Sequence, residues 1–215
     1  AAGKRILVDC GLFQGPRELE ALNREPFPFD ARELDAVLVT HGHLDHVGRL
    51  PLLVERGYAG PFLATASTRE IAAVILRDAA SLQAEDHARD LRKAARAGRA
   101  HTVPGPLFTA ADAEEAIARF RPVAFGTPFE AAPGVRVAYR QAGHILGSAY
   151  LEIEAEGTRI TFSGDLGNRE SSLHEPAVPP RDSDIVILES TYGDRLHRTR
   201  EATQAEFLAV IKRAV

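Results

Sequence analysis

Short apolar runs, each closed by Gly, Pro, Asp or Asn, recur along the chain. They predict strands over Ile6–Asp9, Ala36–Thr40, Phe62–Thr65, Val135–Gln141, Ser148–Ile153, Arg159–Ser163 and Ile185–Glu189. Between them the apolar period lengthens to that of a helix. The longest such stretch runs from Thr68 to about Ala97 and sets Ile71, Val74, Ile75, Ala79 and Leu82 on one stripe. A second helix is predicted from Ala110 or Ala111 to Phe120, with Asp112 near its start and Pro122 past its end. Pro51 cannot lie inside a helix that begins at Asp45. The pattern therefore predicts one turn over Asp45–Arg49 and a new helix with Pro51 near its first position. The Pro-rich piece from Pro176 to Pro180 reads as a loop, and Glu201–Val215 as a helix with no stop signal.

Strands alternating with helices in a chain of 215 residues predict an α/β fold with one core. With 45% hydrophobic and 26% charged residues the composition is that of a folded protein, which excludes a disordered or fibrous chain. No apolar stretch approaches the ~20 residues of a membrane span, and the helix candidate at 70–82 is interrupted by Arg77 and Asp78. Cys10 is the single cysteine, so no disulfide framework forms, in keeping with a cytoplasmic protein. The formal charge of −4 gives no overall polyanion-binding signature. Arg89, Arg92, Lys93, Arg96 and Arg99 form a local basic helix end, read as a solvated face with an RNA-contacting patch as the alternative. The abrupt opening into Arg5-Ile6-Leu7-Val8 and the unstopped final helix lead us to expect a piece of a longer protein without a leader.

The densest chemistry lies in Thr40-His41-Gly42-His43-Leu44-Asp45-His46, where a strand ends and a helical turn begins. His41 and His43 share one side of an extended segment, and the turn brings Asp45 and His46 over the same opening. Imidazole nitrogens and carboxylate oxygens bind zinc at ~2.0–2.2 Å. His144, between glycines at a strand end, and Asp165, after a third strand, complete the donors. The expected set is His41, His43 and His144 on one ion, Asp45 and His46 on the other, and Asp165 between them. The second ion is one ligand short.

Taken in order, Val8-Asp9-Cys10-Gly11, the His41–His46 motif with Gly48-Arg49-Leu50-Pro51, Ala142-Gly143-His144, Ser163-Gly164-Asp165 and Leu188-Glu189-Ser190-Thr191-Tyr192-Gly193 resemble the signatures of the metallo-β-lactamase superfamily. The Glu189 motif is similar to the first motif of its β-CASP branch, the endo- and exonucleases of nucleic-acid processing. The resemblance implies a four-layer αββα sandwich with a Zn2+ pair at one edge. It also implies a β-CASP domain inserted after the Glu189 motif, so residues 1–215 are expected to be an incomplete metallo-β-lactamase domain. The C-terminal part of the sandwich, the opening strands before Asp9, the last histidine ligand of the second zinc and an acid histidine are expected elsewhere. His87, His101, His174 and His197 match none of the motifs and are read as surface or loop residues.

The implied reaction is zinc-dependent hydrolysis of RNA phosphodiesters, with single-stranded DNA as an alternative substrate. Asp45 would bind metal and orient the attacking water, Glu189 would act on the acid histidine, and Asp9 would accept a hydrogen bond from a ligand imidazole. The competing readings are another hydrolase of the superfamily (lactonase, thioesterase or small phosphodiesterase) and a non-catalytic RNA-binding subunit.

Overall fold

A computed structural model describes residues 3–96, 103–167, 175–196 and 198–214. Strand β1 (Ile6–Val8) leads through α1 (Arg17–Ala21) and two short 3-10 turns into β2 (Ala36–Leu38). There follow α2 (Leu44–Val47), α3 (Leu50–Glu55), β3 (Phe62–Thr65), α4 (Ala66–Arg96), α5 (Ala110–Ala118) and β4 (Phe120–Val123). The four strands pair in chain order, all parallel. Such a sheet is covered on both faces. Val37, Val39, Phe62 and Ala64 pack against Leu50 and Leu53 of α3, Ala72 and Leu76 of α4, and Ala113 and Ile117 of α5. Their neighbours Leu38, Ile6, Val8 and Leu63 face the other way, into a second core. Burial on both sides is why β2 reads as an unbroken apolar run.

The second core is closed by β5 (Phe129–Ala132), β6 (Val135–Gln141), β7 (Ala149–Ala155), β8 (Thr158–Phe162) and β9 (Ile185–Ile187). The first four form an antiparallel meander, and β9 joins β8 in parallel. Val135, Val137, Tyr139, Leu151 and Ile153 point inward, and the buried Tyr139 hydroxyl donates to the Leu63 carbonyl (2.6 Å), fastening one sheet to the other.

The outward positions of this second sheet carry charge. Glu152, 1% exposed, accepts from Arg140 Nε (3.0 Å) and from Arg181 Nε (2.9 Å) and Nη2 (2.7 Å). Arg181 belongs to an extended stretch, residues 175–184, strapped over the face by Tyr150 Oη to Pro179 O (3.3 Å) and Arg159 Nη1 to Asp182 O (2.8 Å). Burial pushes the Glu152 carboxyl up, but the hydrogen bonds from Arg181 and Arg140 outweigh it, and its pKa lies below the ordinary 4.5. A carboxyl depressed in the fold adds stability above its unfolded pKa and loses it as pH falls through the folded value. Glu152→Gln is therefore expected to lower unfolding free energy by about 1–3 kcal/mol at pH 7. Denaturant titrations should show the deficit shrinking in acid, and a deficit independent of pH would refute the ionic contribution.

The α/β sandwich expected from the sequence is present, and each predicted strand is found within two residues of its bounds. Pro51 sits in the first turn of α3. Two expectations need correction. β4 and β5 were not anticipated: Pro122 falls inside β4, which tolerates a missing donor because it is the edge of its sheet. The buried face of α4 is Thr68, Ala72, Ala73, Leu76, Ala79 and Ala80, whereas Val74 is 64% and Leu82 53% exposed. Small alanines let the helix lie close to β3, and hydrogen bonds at its first turn, described below, fix its rotation. The outer face of the second sheet is covered by residues 175–184, and α6 (Arg200–Ala214) has no buried residue.

Candidate metal centre

The site lies where the first sheet's strands end. β2 stops at Leu38, the chain stays extended through His43 (φ −68°, ψ 153°), and α2 turns at once, so that His41, His43, Asp45 and His46 project into one opening. His144 enters from the β6–β7 connection and Asp165 from the loop after β8. His41 Nε2 lies 3.0 Å from His43 Nδ1 and 3.7 Å from Asp165 Oδ2. His144 Nε2 lies 3.2 Å from His43 Nδ1 and 3.5 Å from the same Asp165 oxygen. A tetrahedral ion with bonds of ~2.0–2.1 Å requires ligand atoms ~3.3–3.4 Å apart, and these four donors straddle that value. Three imidazoles and a carboxylate at this spacing fit a zinc-sized cation.

The other carboxylate oxygen of Asp165 lies near a second pair of side chains. Its Oδ1 is 3.3 Å from His46 Nε2, and His46 Nε2 is 3.7 Å from Asp45 Oδ2. The two oxygens of Asp165 thus lie nearest two different groups of side chains, Oδ2 to His41 and His144 and Oδ1 to His46. Asp45 is the most exposed of the donors, its side chain 51% accessible, on the open side of the centre.

Behind the donors lies a set of hydrogen bonds. Asp9 accepts from Thr40 N (2.8 Å) on Oδ1, and from Thr40 Oγ1 (2.7 Å) and His46 Nδ1 (2.8 Å) on Oδ2. The structure therefore brings Asp9 into hydrogen-bond contact with the His46 imidazole. Its own backbone is left-handed (φ 57°) at the turn that brings the carboxylate under the site. Gly147 offers its carbonyl to two hydroxyls at the start of α4, Thr65 (2.8 Å) and Thr68 (2.9 Å), and Ser148 Oγ accepts the N–H of His144 (3.0 Å). These bonds tie the His144 loop to the first sheet and fix the helix. Glu189 Oε1 accepts the N–H of Leu166 (2.6 Å), next to Asp165, and its own N–H is held by Ser163 Oγ (2.9 Å). Its carboxylate therefore buttresses the Asp165 loop. Thr65, Thr68 and Ser148 were given no role from the sequence, where isolated hydroxyls carry no distinguishing pattern, and Ser163 appeared only as a member of the Asp165 motif.

Burial, and then the charges of His46, His43 and His144, push His41 down to about 2, so it remains a neutral imidazole with a lone pair to offer. His144 is lowered, chiefly by burial. Burial lowers His46 as well, but its hydrogen bond to Asp9 and the charges of Asp9, Asp165 and Asp45 outweigh this and raise it. Away from the centre, His87 is half-buried on α4, while His101, His174 and His197 lie outside the described residues. Arg89 and Lys93 pair with Asp86 (2.7 Å) and Asp90 (3.8 Å) one turn back on α4, as a solvated helix face does.

The sequence model described as the Metallo-beta-lactamase superfamily matches residues 1–203. The chain belongs to the metallo-beta-lactamase superfamily. Within that superfamily it is 42% identical over its whole length to Ribonuclease TTHA0252 of Thermus thermophilus, covering 44% of that protein. It is 34% identical to Transcription termination factor FttA of Methanococcus maripaludis, over 98% of this chain and 32% of the relative. It is 30% identical to Cleavage and polyadenylation specificity factor 73 of Drosophila melanogaster, over 99% and 29%. The chain spans less than half the length of these relatives. The resemblance read from the ordered motifs is borne out, and a metal-binding group of histidine and aspartate is what this metallo-beta-lactamase chain carries at the strand ends.

Proposed function

We propose that this chain forms part of a two-zinc hydrolase of the β-CASP type that cleaves RNA. The observation that carries the reading is the placement of Asp165, with Oδ2 turned to His41 and His144 and Oδ1 turned to His46. A carboxylate shared in this way suits a pair of ions a few ångströms apart, the arrangement used for in-line displacement at phosphorus. His41, His43 and His144 would hold one ion, Asp45 and His46 the other, and Asp165 both. When bound, the pair supplies positive charge to the phosphate oxygens and acidifies the attacking water.

The protein's own groups then divide the remaining work. Asp45, on the open side, orients the attacking water and accepts its proton. Asp9 keeps His46 aimed through its hydrogen bond to Nδ1. Glu189 holds the Asp165 loop by its bond to Leu166 N, and from that position it can also orient an acid histidine supplied by another part of the protein. RNA as the substrate is supported by the names of the relatives and by the Glu189 motif. The greater length of those relatives leaves room for an inserted β-CASP domain, and residues 1–215 would then be one incomplete metallo-β-lactamase domain. We assign the cytoplasm as its compartment, in keeping with an RNA substrate and a lone, buried Cys10. Among the described residues no helix is long and apolar enough to cross a membrane.

The test is metal analysis of the dialysed full-length protein combined with cleavage of a labelled single-stranded RNA. Two zinc ions per chain, and cleavage that chelation abolishes and zinc restores, are expected. Metal uptake without cleavage of RNA or single-stranded DNA, accompanied by hydrolysis of a lactone or thioester, would sink the nuclease reading in favour of a smaller hydrolase.

A further inference from the structure

The first residue of the histidine motif is not itself a metal donor, and it touches the groups behind the donors. Thr40 is fully buried, and its hydroxyl oxygen lies 2.7 Å from Asp9 Oδ2 and 3.1 Å from His41 Nδ1. The direction of these bonds follows from counting protons. An ionised carboxylate has none to give, so the Thr40 hydroxyl donates its only proton to Asp9. It can then act toward His41 only as an acceptor, which places the His41 proton on Nδ1 and leaves the lone pair on Nε2. That Nε2 atom is the one facing His43 and Asp165. On the other side of the same Asp9 oxygen, His46 Nδ1 donates at 2.8 Å, so His46 too is left with a bare Nε2, facing Asp45 and the far oxygen of Asp165.

We infer that Thr40 is a positioning residue that, with Asp9, selects the ligating tautomer of one histidine in each metal position and couples the two positions through a single carboxylate oxygen. The inference rests on the two-position reading of the metal centre. Two further contacts keep the relay in place. The Thr40 N–H donates to Asp9 Oδ1 (2.8 Å), making a second bond between the same two residues, and the Thr40 carbonyl accepts from Ala149 N (2.9 Å) at the start of β7. A Cβ at Gly164, just before Asp165, would come within 2.9 Å of Thr40 Cβ and 3.0 Å of its Oγ1. The bare glycine lets the Asp165 loop close over the threonine. The hydroxyl thus touches the supports of His41 directly, of His46 through Asp9, and of Asp165 by packing. Valine has the same shape without the acceptor, so His41 Nδ1–H would be left buried and unpaired. The other tautomer, which puts the proton on Nε2 and removes the ligand, would then be favoured.

The experiment measures stepwise zinc affinity of the full-length protein by competition with a chromophoric chelator, alongside the visible spectrum of the cobalt-loaded protein. Thr40→Val is expected to weaken the step that fills the His41 position by ~10–100-fold, the usual cost of losing a ligand's hydrogen-bond partner, and to alter the cobalt spectrum. Thr40→Ser, which keeps the hydroxyl, should restore both. Asp9→Asn, which removes the shared acceptor, should weaken both steps. Parent affinities and an unaltered spectrum in Thr40→Val would overturn the relay while leaving the metal centre intact. Equal losses in the valine and serine variants would overturn it as well, because they would trace the effect to packing against Gly164. A parent protein that takes up neither metal would overturn the metal centre and the relay together.

Discussion

The Asp165→Ala protein is expected to lose more zinc on dialysis than a protein lacking His144, and to cleave RNA at least ~10³-fold more slowly than the parent. Removal of one group that stabilises transition-state charge costs up to ~10³-fold in rate, and Asp165 would serve both metal positions. His144 reaches one donor set only: its Nε2 lies near His43 Nδ1 and near the Oδ2 of Asp165. Asp165 reaches both sets, through different oxygens. Without it the first position falls to three imidazoles and the second to Asp45 and His46, each short of the four donors typical of zinc. Atomic absorption on the two dialysed variants separates the cases. Equal zinc contents would show that the two donor sets do not share a carboxylate.

Gly11→Ala is expected to damage the second metal position without touching a donor. A Cβ at residue 11 would fall 1.5 Å from the carbonyl oxygen of Asp45 and 2.5 Å from the backbone nitrogen of His46. The two segments are stitched together there, Cys10 N to His46 O (2.8 Å) and Leu12 N to Leu44 O (3.0 Å), so neither can move alone. The methyl group must push α2 away from β1, carrying Asp45 and His46 with it. We expect a loss of about 1–3 kcal/mol of stability, as for other overpacked sites, and the disappearance of the zinc-binding step assigned to Asp45 and His46, while the His41 step survives. Denaturant unfolding and zinc titration read the two effects. Parent values in both would mean that the backbone gives way at no cost.

The sequence exposed what depends on local spacing. Ala36 to Thr40 could be read as a strand because it is a short apolar run, and His41 to His46 as a ligand cluster because a strand end and one helical turn suffice to gather them. Tertiary choices were hidden. On α4 the large residues Val74 and Leu82 dominate the periodicity, yet the alanines face the sheet, because the approach of the helix is set by Thr65 and Thr68 bonding a carbonyl from a distant loop. Pro122 marked the end of α5 and concealed the edge strand that begins at Phe120, since nothing local reveals that β4 has a free side. The candidate donors lie in motifs that local spacing picks out, whereas of the residues behind them only Asp9 was expected in a supporting role. The bonds from Leu166 N to Glu189, from Thr40 to Asp9 and from Thr68 to Gly147 join residues whose proximity exists only after both sheets have formed.

The donor set is therefore also a folding sensor. Its members come from the end of β2, from the β6–β7 turn and from the loop beyond β8, so no fragment of the native structure smaller than the packed pair of sheets brings them together. A cation that binds only the assembled site stabilises the native state by RT ln(1 + [L]/Kd), roughly 4 kcal/mol at a thousandfold excess over Kd. On the zinc reading proposed above, metal supply and proteolytic lifetime would be linked: loss of the ion would make unfolding of the whole sandwich, and not of the site alone, more frequent.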